Sequence, residues 1–586
     1  MLAALGASCG GAPARAPLSA QPGSALSVAP VVPAAPVELV LSVIGTNDVH
    51  GAVVPNGPRG GLAVFGGYLA NLRAARTGDG GGVLLVDAGD LFQGTLESNL
   101  GEGAAMIAAY NLLGYDALAI GNHEFDFGPV GARATATSGD DSRGALYARM
   151  AEANFPFLAA NIVDRATGRV VTWPKVRSSV LIERAGVRIG VVGVTTESTK
   201  RVTMASSVGD LDIAPLAETI AREAAALRAA GAEVVVAAAH AGGACSAFED
   251  PKELASCDAD DEIMAVAAAL PAGAVDVLIA GHTHAGMAHL VNGVPVIESY
   301  AGGRAFGRVD LRLRRDGAGA GGALRVVATD VHPPREICAA VVTGTTTCDP
   351  RNEGTREPAS YEGAAILPDE RVAQALAPHV ERARATKEEL LGVTLAERLE
   401  SSYTAESAVG NLFTELMLAA RPKADVALTN GGGLRAPLPA GALSYGALYE
   451  TSPFDNRFAM VRMTAAGLAA LIASNLEDDH GILSIAGVRA RATCKGGALI
   501  VTLERKGKPL AGATRLLVAT SDFLATGGDA TAFSPSDVTI EDGPPIREEL
   551  ARVLRSRGGR IARADVIDTK QPRLTFPAPR PVRCPK

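Results

Sequence analysis

Five times along this chain, polar residues of one chemical type stand directly after a run of apolar residues, and that recurrence limits what the chain can fold into. Asn47-Asp48-Val49-His50 follows 39–44, Gly89-Asp90 follows 83–86, and Gly121-Asn122-His123-Glu124 follows 117–120. His240 follows 234–239, and Gly281-His282-Thr283-His284 follows 275–280. Short apolar runs closed by turn-forming residues read as buried strands. Successive strands that end in Asp, Asn and His assemble one polar site on one edge of a sheet, where open α/β sheets place their chemistry. Oxygen and imidazole donors in this mixture suit Mn, Fe, Co or Zn. They fit Ca or a Cys-rich structural site poorly.

A chain of 586 residues exceeds one core, so two or more domains are expected. From 38 to about 330, strand-like segments (83–86, 188–194, 232–239) alternate with helix-like ones (102–113, 213–230), which implies α/β layers around a largely buried sheet. Residues 304–329 alternate apolar and polar around a Gly-rich turn and read as a hairpin that closes this unit. The expected division is a leader and flexible tether over 1–37, a catalytic domain over 38–335, a linker over 336–395 with a helix at 368–391, and a second α/β domain over 396–586. The net charge of −8 leaves no electrostatic footprint for duplex nucleic acid. Anionic substrates must be met by local charge, from metals and placed Arg.

Met1 to Ala7 is apolar, and Cys9 follows Gly6-Ala7-Ser8. Small residues before a cysteine resemble a bacterial lipoprotein signal, so the expectation is an exported, periplasmic or cell-surface protein that meets a membrane only through a lipid anchor at Cys9. Residues 10–37, rich in Ala, Pro, Gly and Ser, read as a tether. Besides Cys9 the chain has Cys245, Cys257, Cys338, Cys348, Cys494 and Cys584. An even set in an exported chain suggests disulfides. Spacing alone leaves the connectivity open; the expected pairs are 245–257, 338–348 and 494–584.

Asn47-Asp-Val-His-Gly51, Asp87-Ala-Gly-Asp90, Gly121-Asn-His-Glu-Phe-Asp126 and Gly281-His-Thr-His284, in that order, resemble the calcineurin-like metallophosphoesterases. Asn430-Gly-Gly-Gly-Leu-Arg435, Ser452-Pro-Phe-Asp-Asn456 and Phe523-Leu-Ala-Thr-Gly-Gly-Asp529 resemble the substrate-binding domain of the secreted 5′-nucleotidase and UDP-sugar hydrolase family. The likeness covers roughly 38–545. It implies an N-terminal four-layer α/β/β/α sandwich, a linking helix and a C-terminal α/β substrate-binding domain. It also implies two divalent ions. One would take Asp48, His50, Asp90 and His284, and the other Asp90, Asn122, His240 and His282, with Asp90 as the bridge. Two metals clamp a phosphoryl group and acidify a bridging water, which becomes the attacking hydroxide. His123 would assist at the phosphoryl group or leaving oxygen, with Asp126 fixing its ring. A carboxylate on one ring nitrogen favours the imidazolium, which then donates to developing negative charge. Glu124 reads as a supporting residue rather than a ligand.

In the second domain, Phe454 and Phe523 are candidates to sandwich a base. With aromatics at only 4% of the chain, two Phe in polar loops stand out. By resemblance Asp529 meets sugar hydroxyls, and Asn430 and Arg435 meet substrate and phosphate, the latter through a planar fork of donors. Three residues before Glu406, where the family has Arg, this chain has Tyr403, which offers one hydrogen bond rather than a charged pair. The leading expectation is a metal-dependent phosphohydrolase that removes phosphate from nucleotides. The second is a cyclic-nucleotide phosphodiesterase or nucleotide-sugar pyrophosphohydrolase. The third is a surface lipoprotein that binds a nucleotide-like ligand without turnover.

Overall fold

The computed structural model describes residues 37–131, 136, 139–315, 324–541, 543–577 and 579–585, together with Gly11. The expected lipidation at Cys9, the tether (Gly11 and Val37 apart) and the Gly-rich turn of the 304–329 hairpin lie outside the described residues. Val37 belongs to no tether: it opens the first strand, Val37–Thr46.

Two sheets stack in the N-terminal half. The first has seven strands and the second six. In the first, Val37–Thr46 lies between Ala305–Arg315, antiparallel to it, and Gly82–Asp87, parallel to it. Ala117–Ala119 follows in parallel. In the second, Val187–Thr195, Val234–His240 and Val277–Ile279 run parallel side by side. Side chains alternate across each strand, and the burial follows that alternation. Leu41, Val43, Val191, Val234 and Val236 fill the layer between the sheets. Their neighbours Val192, Val194, Val235 and Ala237 turn outward to helices Leu216–Ala229 and Glu262–Ala269. On the other side Ile44 and Leu85 meet helices Leu62–Gly78 and Ala104–Leu113. The result is a four-layer α/β/β/α sandwich. Buried on both faces, parallel strands such as Gly82–Asp87, Val234–His240 and Val277–Ile279 read as largely continuous apolar runs.

The linking helix spans Glu370–Lys387, shorter than the expected 368–391. Asp369 caps it by accepting from Arg371 N. The chain enters it tightly against helix Leu62–Gly78, where a Cβ on Gly67 would come within 2.4 Å of Leu367 O. Leu390–Leu395 is a strand, paired with Gly441–Ser444 and Gly559–Ile561. The C-terminal unit therefore takes in residues that the sequence reading gave to the linker. Likewise the helix expected over 213–230 starts at Leu216, because Ile213 ends the strand Leu211–Ile213. Further on, a five-stranded sheet has Val426–Asn430 and Arg515–Ser521 at its centre. Helices Ala408–Ala420 and Ala465–Glu477 pack against it.

Cys245–Cys257, Cys338–Cys348 and Cys494–Cys584 are disulfides, as expected. Among the described residues no helix is long and apolar enough to cross a membrane.

Candidate active site

All five motifs converge at the carboxyl ends of the parallel strands. Pairing continues past the strand ends: Asp48 N donates to Gly89 O (2.9 Å) and His50 N to Asp90 O (3.0 Å). Gly121 passes so close to Asp90 that a Cβ would lie 2.3 Å from Asp90 Oδ1. The buried Glu124 carboxylate accepts from Gly121 N (2.7 Å), Asp90 N (2.8 Å) and Leu91 N (2.7 Å), and so ties two ligand loops together. Asp48, His50, Asp90, His282 and His284 all hold left-handed backbones, with φ of 49°, 50°, 59°, 84° and 60°. Non-glycine residues rarely adopt that region, and such strain collects at functional sites.

The side chains form two groups. Ligand atoms of Asp48, His50 and His284 lie within 4.8 Å of one another, as do those of Asp90, His240 and His282. Asp90 Oδ2 faces both, 3.2 Å from His240 Nε2 and 4.0 Å from His50 Nε2. Asn122 Oδ1 joins the second group, 3.0 Å from His240 Nε2. His50 Nδ1 lies 2.8 Å from Gln93 O and His240 Nδ1 2.9 Å from Ala88 O. A ring nitrogen beside a carbonyl must donate, so each Nε2 is aimed inward. Burial, helped by the neighbouring imidazoles, pushes His50 down to about 3 and His282 to about 4. Burial also opposes charge on His240, but the Asp90 carboxylate outweighs it and lifts His240 to about 10.

The residues fit divalent cations on an observation of their own. Asp48 Oδ1 is buried with no hydrogen-bond partner, and it sits 3.4 Å from His284 Nε2 and 3.9 Å from His50 Nε2. A buried carboxylate oxygen left unpaired is costly. Facing two imidazole nitrogens, it completes a donor set that suits a transition-metal ion.

His123 borders both groups, with Nε2 4.0 Å from Asp90 Oδ2 and its ring 5.3 Å from that of His50. Its Nδ1 lies 2.5 Å from Asp126 Oδ2, while Nε2 looks into a cavity of about 440 Å³. Burial pulls its pKa down, but the Asp126 and Asp90 carboxylates more than offset this and hold it above the ordinary histidine value. The opposite wall comes from the C-terminal unit. Arg435 Nη2 is 3.4 Å from His123 Nε2, and its guanidinium lies 5.2 Å from the centre of the Phe454 ring. That ring lies 5.8 Å from the His123 ring. Asn430 Nδ2 donates to Asp529 Oδ2 (2.6 Å), and Phe523 covers Gly528, where a Cβ would meet its ring at 2.5 Å.

The cavity thus has Asp90, Asn122, His123, Asp126, His282 and His284 on one side. It has Asn430, Arg435, Phe454, Phe523 and Asp529 on the other. Asp48, His50 and His240 do not line it. Sequence reasoning passed over Gln93, Asn99, Val202, Met204 and Asp455, which do. Asp455 was within reach, inside the Ser452–Asn456 motif, whereas Val202 and Met204 carry no signal of chemistry. Ser198 Oγ, 3.4 Å from His282 Nε2, was also passed over.

Comparison with known proteins matches each half of the chain to a family. Residues 41–286 match the calcineurin-like phosphoesterase family, and residues 384–535 match the 5′-nucleotidase C-terminal domain. The chain is 27% identical over 519 residues to Protein UshA of Yersinia enterocolitica, covering 83% of this chain and 86% of that protein. It is 26% identical over 520 residues to a 5′-nucleotidase of Vibrio cholerae, covering 83% and 85%. In fold it is similar to the crystal structure of a 5′-nucleotidase precursor from Thermus thermophilus, with a TM-score of 0.67 and 21% identity over 92% of this chain and 100% of that one.

Proposed function

Since the chain belongs to the metallophosphoesterases that carry a 5′-nucleotidase C-terminal domain, we propose that it hydrolyses phosphate esters of nucleotides and releases inorganic phosphate. The observation that carries this reading is the 3.4 Å approach of Arg435 to His123, which joins the ion-holding half and the recognising half in one cavity. Asp48, His50, Asp90, Asn122, His240, His282 and His284 would hold two divalent cations. Bound there, such ions acidify water and offset charge on phosphoryl oxygens.

The chain's own residues supply the rest. Water adds to phosphorus, the ester P–O bond breaks, and the leaving oxygen needs a proton. His123, kept protonated by Asp126, presents Nε2–H toward the reacting group and can donate it. Arg435 offers its donor fork to phosphate oxygens. Phe454 and Phe523 take the base, and Asn430 with Asp529 meets the sugar. The products formed from AMP, UDP-glucose and 2′,3′-cyclic AMP, identified with added Mn, Co or Zn and a chelator control, test this. Phosphate from AMP that disappears on chelation is expected. Nucleotide binding without turnover by metal-loaded protein would overturn it.

A second reading, cyclic-nucleotide phosphodiesterase or nucleotide-sugar pyrophosphohydrolase activity, draws on Tyr403, a neutral hydroxyl on the cavity wall. The other two substrates in the panel report on it. Export belongs to the same proposal and is supported by the three disulfides. Mass spectrometry of the mature N-terminus tests anchorage at Cys9: an unmodified Cys9 in membrane-free protein would remove that part.

A further inference from the structure

Within the apolar strand Val294–Ser299 stands one carboxyl group, Glu298, and it is fully buried. A buried carboxyl is costly unless it is hydrogen-bonded, so its partners show what holds it there. Glu298 Oε2 accepts from Gly243 N (3.0 Å), and Oε1 accepts from Thr283 Oγ1 (2.7 Å). Thr283 stands between His282 and His284, and Gly243 lies just past His240. One side chain thus grips both loops that carry the histidines of the second sheet.

The two loops also meet directly. Thr283 Oγ1 lies 3.0 Å from Gly243 O, and Gly281 N donates to Ala241 O (3.2 Å). A Cβ on Gly242 would come within 2.4 Å of Gly281 O. His282 and His284 both hold left-handed backbones, on either side of Thr283. Such backbones persist only where the surroundings hold them. The Thr283 side chain, anchored between Glu298 and Gly243, supplies that hold. Glu124 does the same for the first sheet, where its carboxylate joins Gly121, Asp90 and Leu91. Neither glutamate belongs to the two groups of ligand atoms.

We propose that Glu298 is a positioning residue for the metal centre: through Thr283 and Gly243 it sets His282 and His284 against His240, and so fixes how tightly the site holds divalent cations. The inference rests on the metal-holding reading above and deepens it. It is tested by titrating metal-free protein with Zn against a chromophoric chelator, and by recording the melting temperature of each metal-free variant. The variants are Glu298→Ala, Glu298→Gln and Thr283→Val. Asp310→Asn, which alters a buried carboxylate away from the site, reports what general destabilisation does to Zn affinity. The wild type is expected to bind Zn, and Glu298→Ala to bind it about 10–100-fold more weakly, the usual scale for a partner that orients a ligand. Thr283→Val is expected to weaken binding in the same direction. Glu298→Gln is expected to stay within about threefold of the wild type, because the amide keeps an acceptor for Gly243 N and offers a donor to Thr283 Oγ1, whose proton can turn to Gly243 O. Asp310→Asn is expected to leave Zn affinity unchanged.

Wild-type affinity in Glu298→Ala, an equal loss in Glu298→Gln, or an equal loss in Asp310→Asn would each overturn the proposal. Should Glu298→Ala fail to fold, Thr283→Val decides, and wild-type affinity there overturns it. Wild-type protein that binds no Zn, Mn or Co would overturn the metal-holding reading and this inference with it, whereas unchanged affinity in the variants leaves that reading standing.

Discussion

His123 is the residue whose role is easiest to isolate, because it follows the candidate ligand Asn122 in sequence, yet its Nδ1 is held by Asp126 and its Nε2 opens on the cavity, 4.0 Å from Asp90 Oδ2. His123→Ala should keep its metal content, read by elemental mass spectrometry, and lose roughly 10²–10⁴-fold in kcat, the usual scale for one acid–base group. Loss of metal would reassign it as a ligand. Phe523→Ala should weaken nucleotides by about 1–3 kcal/mol, seen as a raised KM, and spare an aryl phosphate. Equal losses on both substrates would make it a packing residue. Away from the site, Asp310 is buried among Arg308, Ser42 and His332. Burial raises its pKa, but those hydrogen bonds outweigh burial and hold it below the usual carboxylate range. A depressed pKa contributes stability above the ordinary carboxylate value, and that stability is lost as pH falls through the folded value. Asp310→Asn should therefore lower the melting temperature at pH 7 more than at pH 3. An equal drop at both would show that packing, not charge, is what the residue supplies.

At the scale of elements, the site depends on loops that pass within contact distance of one another. Gly121→Ala would drive a methyl into Asp90 Oδ1 and Asp90 N, at 2.3 and 2.5 Å. Neither can move without moving the shared ligand or the Glu124 clamp. More than tenfold loss in kcat/KM and a destabilisation of about 1–3 kcal/mol are expected; near-normal kinetics would show that these loops yield more than their bonding suggests. The strands that end in these loops were legible in the sequence because, buried on both faces, they form unbroken apolar runs closed by Gly, Asn or Asp. That these Asp, Asn and His residues would come together was legible for the same reason: each motif abuts such a run. The end of the linking helix was not. Leu391, Val393 and Leu395 are buried at every second position, which is strand spacing, yet directly after a helix they also extend an apolar pattern. Val202 and Met204 could not be found either, since apolar residues reach the cavity only through packing that no local pattern encodes.

For the whole molecule, backbone pairing and the Glu124 carboxylate tie the candidate ligand loops to one another. Chelation should therefore abolish turnover while far-UV circular dichroism stays unchanged, with activity returning when metal is added. A collapse of secondary structure would show that the ions hold the fold. Cys494–Cys584 closes a loop with a sequence separation of 90 and ties the end of the chain to strand Arg489–Lys495. Replacing both cysteines by Ser should cost about 2–5 kcal/mol, measured by denaturant unfolding. The cavity wall shared between the two halves has a consequence for how such a molecule can diversify. The two halves are encoded by separate stretches of polypeptide, and beside the cavity they touch through few polar contacts, such as Asn99 Nδ2 to Pro453 O (3.3 Å) and Arg435 to His123. Exchange of the C-terminal stretch between relatives could then hand a new preference to an unchanged cutting edge, and a chimera would inherit its diet from one parent and its chemistry from the other.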